Sequence, residues 1–520
     1  LHRREEFKAM MRRASASHTM GWRMAVGHVE SSPIVLLARR EFSRRKPAES
    51  WPDMGLCREE VFAMTAAAQQ ISGDSTTASE RRVAGDSAEV QDIISRVDRA
   101  HETAMFHRIA ALIAAGILMD SIDVYLGSAV ASSALSTHWS TVAQNSTFMS
   151  AGFLGLLIGS LLAGFVGDFK GRRTAYQINL LLFGGFTLLG AFAPNMTVLS
   201  LCRLGAGLGL GAEIVTGFAM VNEFAPMNRR GHWCAMVSLV ANCGVPIAML
   251  LCAWVIPRWS WRPLFVGVGL AAAVIWWLRR DIPESPRWLA VHGRYDEADA
   301  IVKQLESNGS EPVSAQSSAA AADSSRNAGG RSLGISLLVA IVAVSATNVC
   351  SYAFTSWVPT ILLKRGINLS SSLFTSTLMM LGAPVGCLVG SLLIDRIGRK
   401  RTIVPAFFFT GVFGMLYAYQ TSAVSAIIVG FLLMVCLYTL MASVVAVYAP
   451  ELFGTKVRFR CVGFANAVAK LLNVLMPMAV AWMLTALGTT SIFVSISAIA
   501  IVSMLVVGVF GAETSRRSIG

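Results

Sequence analysis

The sequence predicts an all-α membrane protein of twelve transmembrane helices, arranged as two pseudo-symmetric six-helix bundles. Composition is the first reason. Of 520 residues, 54% are hydrophobic and only 14% charged, and the mean hydropathy is +0.56; an ordinary soluble domain carries about 25% charged residues. The second is a series of twelve apolar runs, each near the roughly 20 residues needed to span hydrocarbon. The third is that the last six runs repeat the motifs of the first six in register.

Residues 1–63 stand apart. They are Arg-rich, yet they hold eight acidic residues and no apolar stretch before a small-residue cleavage site, so they do not read as a targeting peptide. The stretch Arg58-Glu59-Glu60-Val61 can be encoded with GAG-GAG-GT, a bacterial ribosome-binding string, shortly before the Met64 codon. Translation is therefore expected to start at Met64, with 1–63 an upstream extension; amino-terminal sequencing that finds earlier residues would contradict this. Residues 64–105 are polar and read as a cytoplasmic tail.

The apolar runs lie near 108–131, 146–167, 175–193, 197–220, 232–256, 263–279, 334–358, 372–394, 402–420, 424–447, 461–486 and 490–511. The two bundles are expected at 106–280 and 334–512. A polar central loop, 281–333, separates them, its part 307–333 rich in Ser, Ala, Gly and Asn and expected to be flexible. Residues 513–520 form a carboxy-terminal tail.

Forty-four basic and thirty-one acidic residues give a net charge of +13. The basic residues mostly sit between apolar runs, which the positive-inside rule explains better than nucleic-acid binding. With both termini in the cytoplasm, the inner loops hold most of them, including Lys170, Arg229, Arg279, Arg280, Arg294 and Arg401. The outer loops hold only Arg258, Arg262, Lys364 and Arg365. The nine cysteines form no Cys-x-x-Cys pair and mostly lie in apolar runs, so small buried residues is the better reading than a metal site or disulfide framework. No His/Asp/Glu cluster has metal-ligand spacing and no Gly-x-Ser-x-Gly motif appears. No cofactor, no metal and no enzymatic activity are expected.

The internal repeat is the most informative feature. Run two reads Gly155-x-x-x-Gly159-x-x-x-Ala163, then Asp168-x-x-Gly171-Arg172-Arg173. Run eight reads Gly382-x-x-x-Gly386-x-x-x-Gly390, then Asp395-Arg396-x-Gly398-Arg399-Lys400, at an offset of 227. Glu223 and Arg230 follow run four, and Glu451 and Arg458 follow run ten at an offset of 228. Glu284, with Arg287 after it, follows run six, and Glu513 follows run twelve at an offset of 229. Small residues at every fourth position let two membrane helices approach closely. A carboxylate at a helix end with cations just beyond can hold a neighbouring helix end by charge-assisted bonds and release it when the halves move. These residues are expected to form a cytoplasmic gate. Plain topogenic charge is the alternative, although it requires neither the Asp nor the Gly.

At these residues the chain resembles the major facilitator superfamily. Gly164-Phe-Val-Gly-Asp168-Phe-Lys-Gly171-Arg172-Arg173 and Asp395-Arg396-Ile-Gly398-Arg399-Lys400 are similar to its signature loop. Pro283-Glu284-Ser285-Pro286-Arg287-Trp288 resembles the motif after helix six in the sugar-porter-like branch. Tyr448-Ala-Pro450-Glu451-Leu452-Phe453 through Arg458 resembles that branch's motif after helix ten, with Gly454 where Pro is usual. Arg203-x-x-Ala-Gly207 resembles the helix-four signature without its second polar residue. The resemblance covers about 105–515. It implies alternating access around a central site between the halves, proton symport as in most bacterial relatives of the branch, and a monomer. The helix-seven Gln-Gln pair of sugar transporters is missing. Asn348-Val-Cys-Ser351-Tyr352, Trp357-Val-Pro359 and Asp120-x-x-Asp123 look more like carriers of aromatic acids, niacin and other small carboxylates. Gly244-Val-Pro246 lacks the glycines of drug exporters.

A charge at bilayer depth costs roughly 2.5–3.5 kcal/mol or more, which makes each one a functional candidate. Asp120 and Asp123 lie three apart on one face of run one. Two such carboxylates repel, which favours a proton on one of them; the alternative is a fixed ion pair, for instance with Arg203. Glu213 ends a glycine run (Gly205, Gly207, Gly209, Gly211) that no strand precedes, so close helix packing fits it better than a nucleotide loop. Proton coupling is assigned to Asp120, Asp123, Arg203 and Glu213, with a substrate contact or a cation's partner the open alternatives for Glu213. Lys470, at an offset of 228 from Asn242, is the candidate partner of a substrate carboxylate, or else pairs with a helix-one Asp. Asn242, Asn348, Tyr352, Trp357 and Asn473 are candidate pocket liners, with packing the competing role for each. The expected function is proton-coupled uptake of a small organic acid, aromatic or niacin-like. A sugar or polyol:proton symporter is the alternative. A non-transporting nutrient sensor is a remote one, because 281–333 is too short and polar for a signalling domain.

Overall fold

In the computed structural model the described residues are 89–99, 102–226, 229–306, 333–420 and 422–514, the side chains of Asp395, Thr455, Lys456 and Phe459 excepted. The expected start at Met64, the stretch 307–332 and the residues beyond 514 lie outside them.

A short helix, α1 (89–99), precedes the membrane helices. The first six are α2 (Ala104–Ser136), α3 (Val142–Lys170), α4 (Arg172–Gly190), α5 (Met196–Phe224), α6 (Arg230–Val255) and α7 (Arg262–Arg279). Two small helices follow, α8 (Pro286–Val291) and α9 (Tyr295–Glu306). The second set is α10 (Leu333–Lys364), the pair α11 (Leu369–Met380) and α12 (Gly382–Ile397) that makes up run eight, then α13 (Arg399–Ala418), α14 (Ala423–Leu440), α15 (Thr455–Ala486) and α16 (Thr489–Phe510). Eleven of the spans are long and apolar enough to cross a membrane on composition alone. The twelfth, α4, opens on Arg172-Arg173-Thr174-Ala175-Tyr176-Gln177, and that polar first turn dilutes its hydropathy.

Helix starts follow the repeat. Thr141 caps α3 in a capping box with Gln144, and Asn368, 227 residues on, caps α11 through Ser371 N. Run eight was expected as one helix, but a turn at Leu381 divides α11 from α12. Pro384, just after it, cannot donate and its ring crowds the carbonyl four residues back. Run ten also departs from α geometry, since Met441–Tyr448 is π-helical. Pro450 withholds the next donor there.

The small-residue stripes sit where two backbones meet. A Cβ on Gly155 or Gly159 would approach the backbone of Leu204 and Leu208 to under 3.0 Å. The glycines of α5 divide their work, with Gly207 and Gly211 against the α3 backbone and Gly205 and Gly209 against Phe186 and Phe183 of α4. In the second half, Gly382, Gly386 and Gly390 face the carbonyls of Phe431, Val435 and Thr439.

Helices alternate in direction, so the Gly-Arg turns, the chain before α2 and the segments after α7 share one end, called here the basic end. At the opposite end a single core joins both halves, with Leu126, Val130 and Phe148 packed among Phe354, Trp357 and Leu373. Ser132 Oγ and Thr360 Oγ1 bond across it at 2.9 Å. Arg262 donates to the carbonyls of Ala191 and Ala193, and Arg365 to those of Ala418 and Gln420. These loop cations cap the ends of α4 and α13. At the basic end each half keeps its own cluster, one around Ile109, Ile113 and Phe224, the other around Val344, Ile403 and Val507.

The amphipathic α1 docks on α8 and α9. Ile93 and Val97 pack with Leu289, Ala298 and Val302. Arg96 reaches Asp299 at 2.6 Å and Glu306 at 2.7 Å, and Glu102 accepts from Trp233 Nε1 at 2.8 Å. The Trp233 hydrogen bond holds Glu102 below the usual carboxylate range, and Arg96 does the same for Glu306. A lowered folded-state pKa stabilises at pH above the unfolded value of about 4.3 and loses that contribution as pH falls through the folded value. Hydrogen exchange, corrected for intrinsic rate, is therefore expected to show α1 protected at neutral pH and opening below about pH 4. Unchanged protection on acidification would contradict the docking energetics.

Candidate functional site

Two matching clamps occupy the basic end. Gly171 (φ 90°) and Gly398 (φ 109°) each turn the chain between two helices in a backbone region that side chains avoid. Glu284 accepts from Arg173 N at 3.0 Å, and Glu513 accepts from Arg399 N at 2.9 Å and Lys400 N at 3.1 Å. Each carboxylate thus caps the start of α4 or α13, where helix donors point outward. A Cβ at Gly171 would collide with Glu284. Arg172 Nε bonds Glu223 at 3.0 Å, and Arg399 NH2 bonds Glu451 at 2.9 Å. Asp168 pairs with Arg172 at 2.9 Å, and its carbonyl accepts from Trp288 Nε1 at 3.0 Å. Lys400 Nζ donates to Gly511 O at 3.3 Å.

Other expected gate residues sit elsewhere. Arg230 does not join Glu223; it bonds Asp98, as does Arg287 at 2.5 Å. Its Nε also reaches its own helix entry at Ala225 O, and Arg458 does the same at Phe453 O. Arg396 is exposed, and the side chain of Asp395 lies outside the described residues.

Five charged side chains are buried among the described residues: Asp120, Asp123, Arg203, Glu213 and Arg279. All belong to the first half. Asp123 is fully partnered, with Arg203 NH1 on one oxygen and Thr187 Oγ1 at 3.4 Å from the other. Arg203 also donates to Asp123 O at 2.9 Å. Arg279 was placed in an inner loop by sequence, yet it is 0% exposed. It bonds Glu213 at 2.5 Å and Leu112 O at 3.0 Å, and lies over the Tyr176 ring at 3.9 Å. Gly116 makes the room, since a Cβ there would fall on the guanidinium. Asp120 is 1% exposed and neither carboxylate oxygen has a hydrogen-bond partner among the described residues. It faces Glu213 and Arg279 as well as Asp123. The Asp120/Asp123 dyad is therefore split, with each carboxylate facing a different arginine.

Between the halves, Tyr125 OH and Tyr438 OH bond at 2.6 Å, and Phe153 meets Tyr352 edge-on at 5.0 Å. A small cavity touches Arg203, Ser128, Phe148, Phe153 and Ser356. Asn242 and Asn348 spend an amide donor on their own helix, at Ser238 O and Val344 O. Asn473 Oδ1 is buried without a partner among the described residues. Trp357 is 0% exposed within the joint core, its Nε1 without a hydrogen-bond partner among the described residues. Lys470 is half-buried, and no acceptor lies within hydrogen-bond reach among the described residues.

Residues 100–519 match the family model described as "Sugar (and other) transporter". The chain belongs to this family of the major facilitator superfamily. It is 33% identical over 437 residues to the inner membrane metabolite transport protein YdjE of Escherichia coli (strain K12), covering 82% of this chain and 97% of that one. It is 25% identical over 436 residues to the niacin transporter NiaP of Acinetobacter baylyi, covering 82% and 99%. The fold matches the partially occluded inward-open xylose transporter XylE of E. coli with a TM-score of 0.64 at 16% identity, over 80% of this chain and 100% of that one.

For a transporter of this family, the residues that sequence reasoning missed are Arg279, Tyr176, Gly116 and the Tyr125–Tyr438 bond. The Arg279-Arg280 doublet held a signal, because only one of two adjacent arginines is needed to end an apolar run at water. Arg280 does that, with 59% side-chain exposure, and Arg279 turns inward. The tyrosine pair gave no local signal at all, being 313 residues apart.

Proposed function

We propose that this secondary transporter takes up a small organic acid, aromatic or niacin-like, together with a proton by alternating access, with the basic end in the cytoplasm. The observation that carries the reading is a charge imbalance between the halves. Three carboxylates and two guanidiniums are buried in the first half, which leaves a place for one proton. In the second half, Lys470 offers a cation without a bonded acceptor among the described residues, which leaves a place for one carboxylate. Uncompensated charge at bilayer depth is costly, so filling both places together lowers the barrier to moving the loaded carrier. The similarity to a niacin transporter agrees with such a substrate.

The test is a thermal-shift screen of the purified chain with nicotinate, aromatic acids, aliphatic acids and pentoses or hexoses, at acidic and neutral pH. A ligand that binds the native state raises the melting temperature by mass action. A carboxylate hit that strengthens at acidic pH supports the reading, and uptake of that ligand should then collapse with a protonophore. A sugar-only hit would move the assignment to a sugar:proton symporter, the activity that the Pro283–Trp288 motif favours.

The clamps are assigned to gating. Asp168→Asn is expected to slow transport about tenfold, a barrier change of about 1.4 kcal/mol, while ligand affinity changes far less. Equal losses in rate and affinity would place Asp168 in binding or folding instead.

A further inference from the structure

The first half holds two buried acid–base centres, and they differ in kind. Asp123 and Arg203 satisfy one another, with Thr187 and backbone carbonyls completing their bonds. The second centre has one guanidinium for two carboxyl groups. Arg279 contributes the cation from α7, Glu213 stands on α5 and Asp120 on α2, while Tyr176 of α4 faces all three. Asp120 lies one helical turn beyond Gly116, the residue against which the guanidinium rests. Both oxygens of Asp120 are buried without hydrogen-bond partners among the described residues, and the Tyr176 hydroxyl lies beside Glu213.

We propose that Asp120, Glu213 and Arg279 form a single proton-binding site in which one proton is shared by the two carboxyl groups and Arg279 is the counter-ion of whichever is ionised. Charge counting carries this. With both carboxyls ionised the centre has a net charge of −1 among wholly buried groups, and one proton taken from solution cancels it. In the structure Arg279 bonds Glu213, so the proton resides on Asp120. Moving the guanidinium to Asp120 would leave the proton on Glu213, with the same atoms and the same total charge. Asp123 and Arg203, being mutually neutral, add nothing to the balance. Arg279 is thus a positioning residue. The inference rests on the proton-coupled reading above and names where its proton sits.

Infrared difference spectroscopy of the full chain in liposomes tests it without any substrate. The wild type is expected to show a deuterium-sensitive carbonyl band of a protonated carboxylic acid. Because only one proton is shared, D120N and E213Q should each abolish that band: either change leaves one carboxylate facing one guanidinium. R279K, which keeps the cation, should retain it. A band lost in D120N but kept in E213Q would mean a private Asp120 proton and would overturn the shared site. So would the absence of a band in the wild type, or its loss in R279K. The two readings fail separately. A band with the expected pattern alongside uptake indifferent to protonophores would sink proton coupling and leave the site standing. Protonophore-sensitive uptake without the band would do the reverse.

Discussion

Arg279→Gln is expected to destabilise the folded chain by about 3–5 kcal/mol, the usual cost of stranding one partner of a buried pair. Two buried carboxyl groups would then lie without their cation. Four helices would also lose their common contact, because the guanidinium touches Leu112 on α2, Tyr176 on α4 and Glu213 on α5 from its own place at the end of α7. The measurement is the thermal inactivation midpoint of purified protein beside the double variant E213Q/R279Q. The double variant removes the stranded acceptor as well as the cation and should recover most of the loss, giving a large favourable coupling in the cycle. Equal destabilisation by the single and double variants would show that the pair is not what holds these helices.

Gly159→Val is expected to abolish folded protein, as judged by monodisperse yield after solubilisation. Between membrane helices there is little hydrophobic drive, and close backbone approach supplies the packing. At Gly159 the neighbour is the backbone of Leu208, which has no rotamer to yield. Overpacking a core ordinarily costs about 1–3 kcal/mol; here α3 and α5 would have to separate along their length. Gly164→Val is the control on the same helix, since nothing lies within 4 Å of a Cβ there. Loss of both variants would mean that helix propensity or insertion is at fault rather than the contact.

The architecture was legible because its signals are periodic. Apolar length fixes the spans, and the two clamps announce themselves as Gly171, Glu223 and Glu284 recurring at Gly398, Glu451 and Glu513. What could not be read is who faces whom. Asp120 and Asp123 share a helix face by spacing, yet helix rotation gives one to Arg203 and the other to the Glu213–Arg279 pair. Arg230 keeps a fixed spacing from Glu223, but Arg172 takes that carboxylate and Asp98 of the preceding tail takes Arg230. Trp357, an attractive liner by type, is swallowed by the core between the halves. Tertiary partner choice depends on rotation and depth, and a linear pattern encodes neither.

The capping carboxylates also set an order of events during synthesis. Glu284 reaches back to close the clamp of its half while the second half has yet to be made. Membrane insertion can therefore deliver a finished amino-terminal bundle early, in keeping with the general tendency of leading domains to fold first. The carboxy-terminal bundle must wait for Glu513 before α13 is capped. A nascent chain that ends between Glu451 and Glu513 therefore carries the first capping carboxylate and lacks the second.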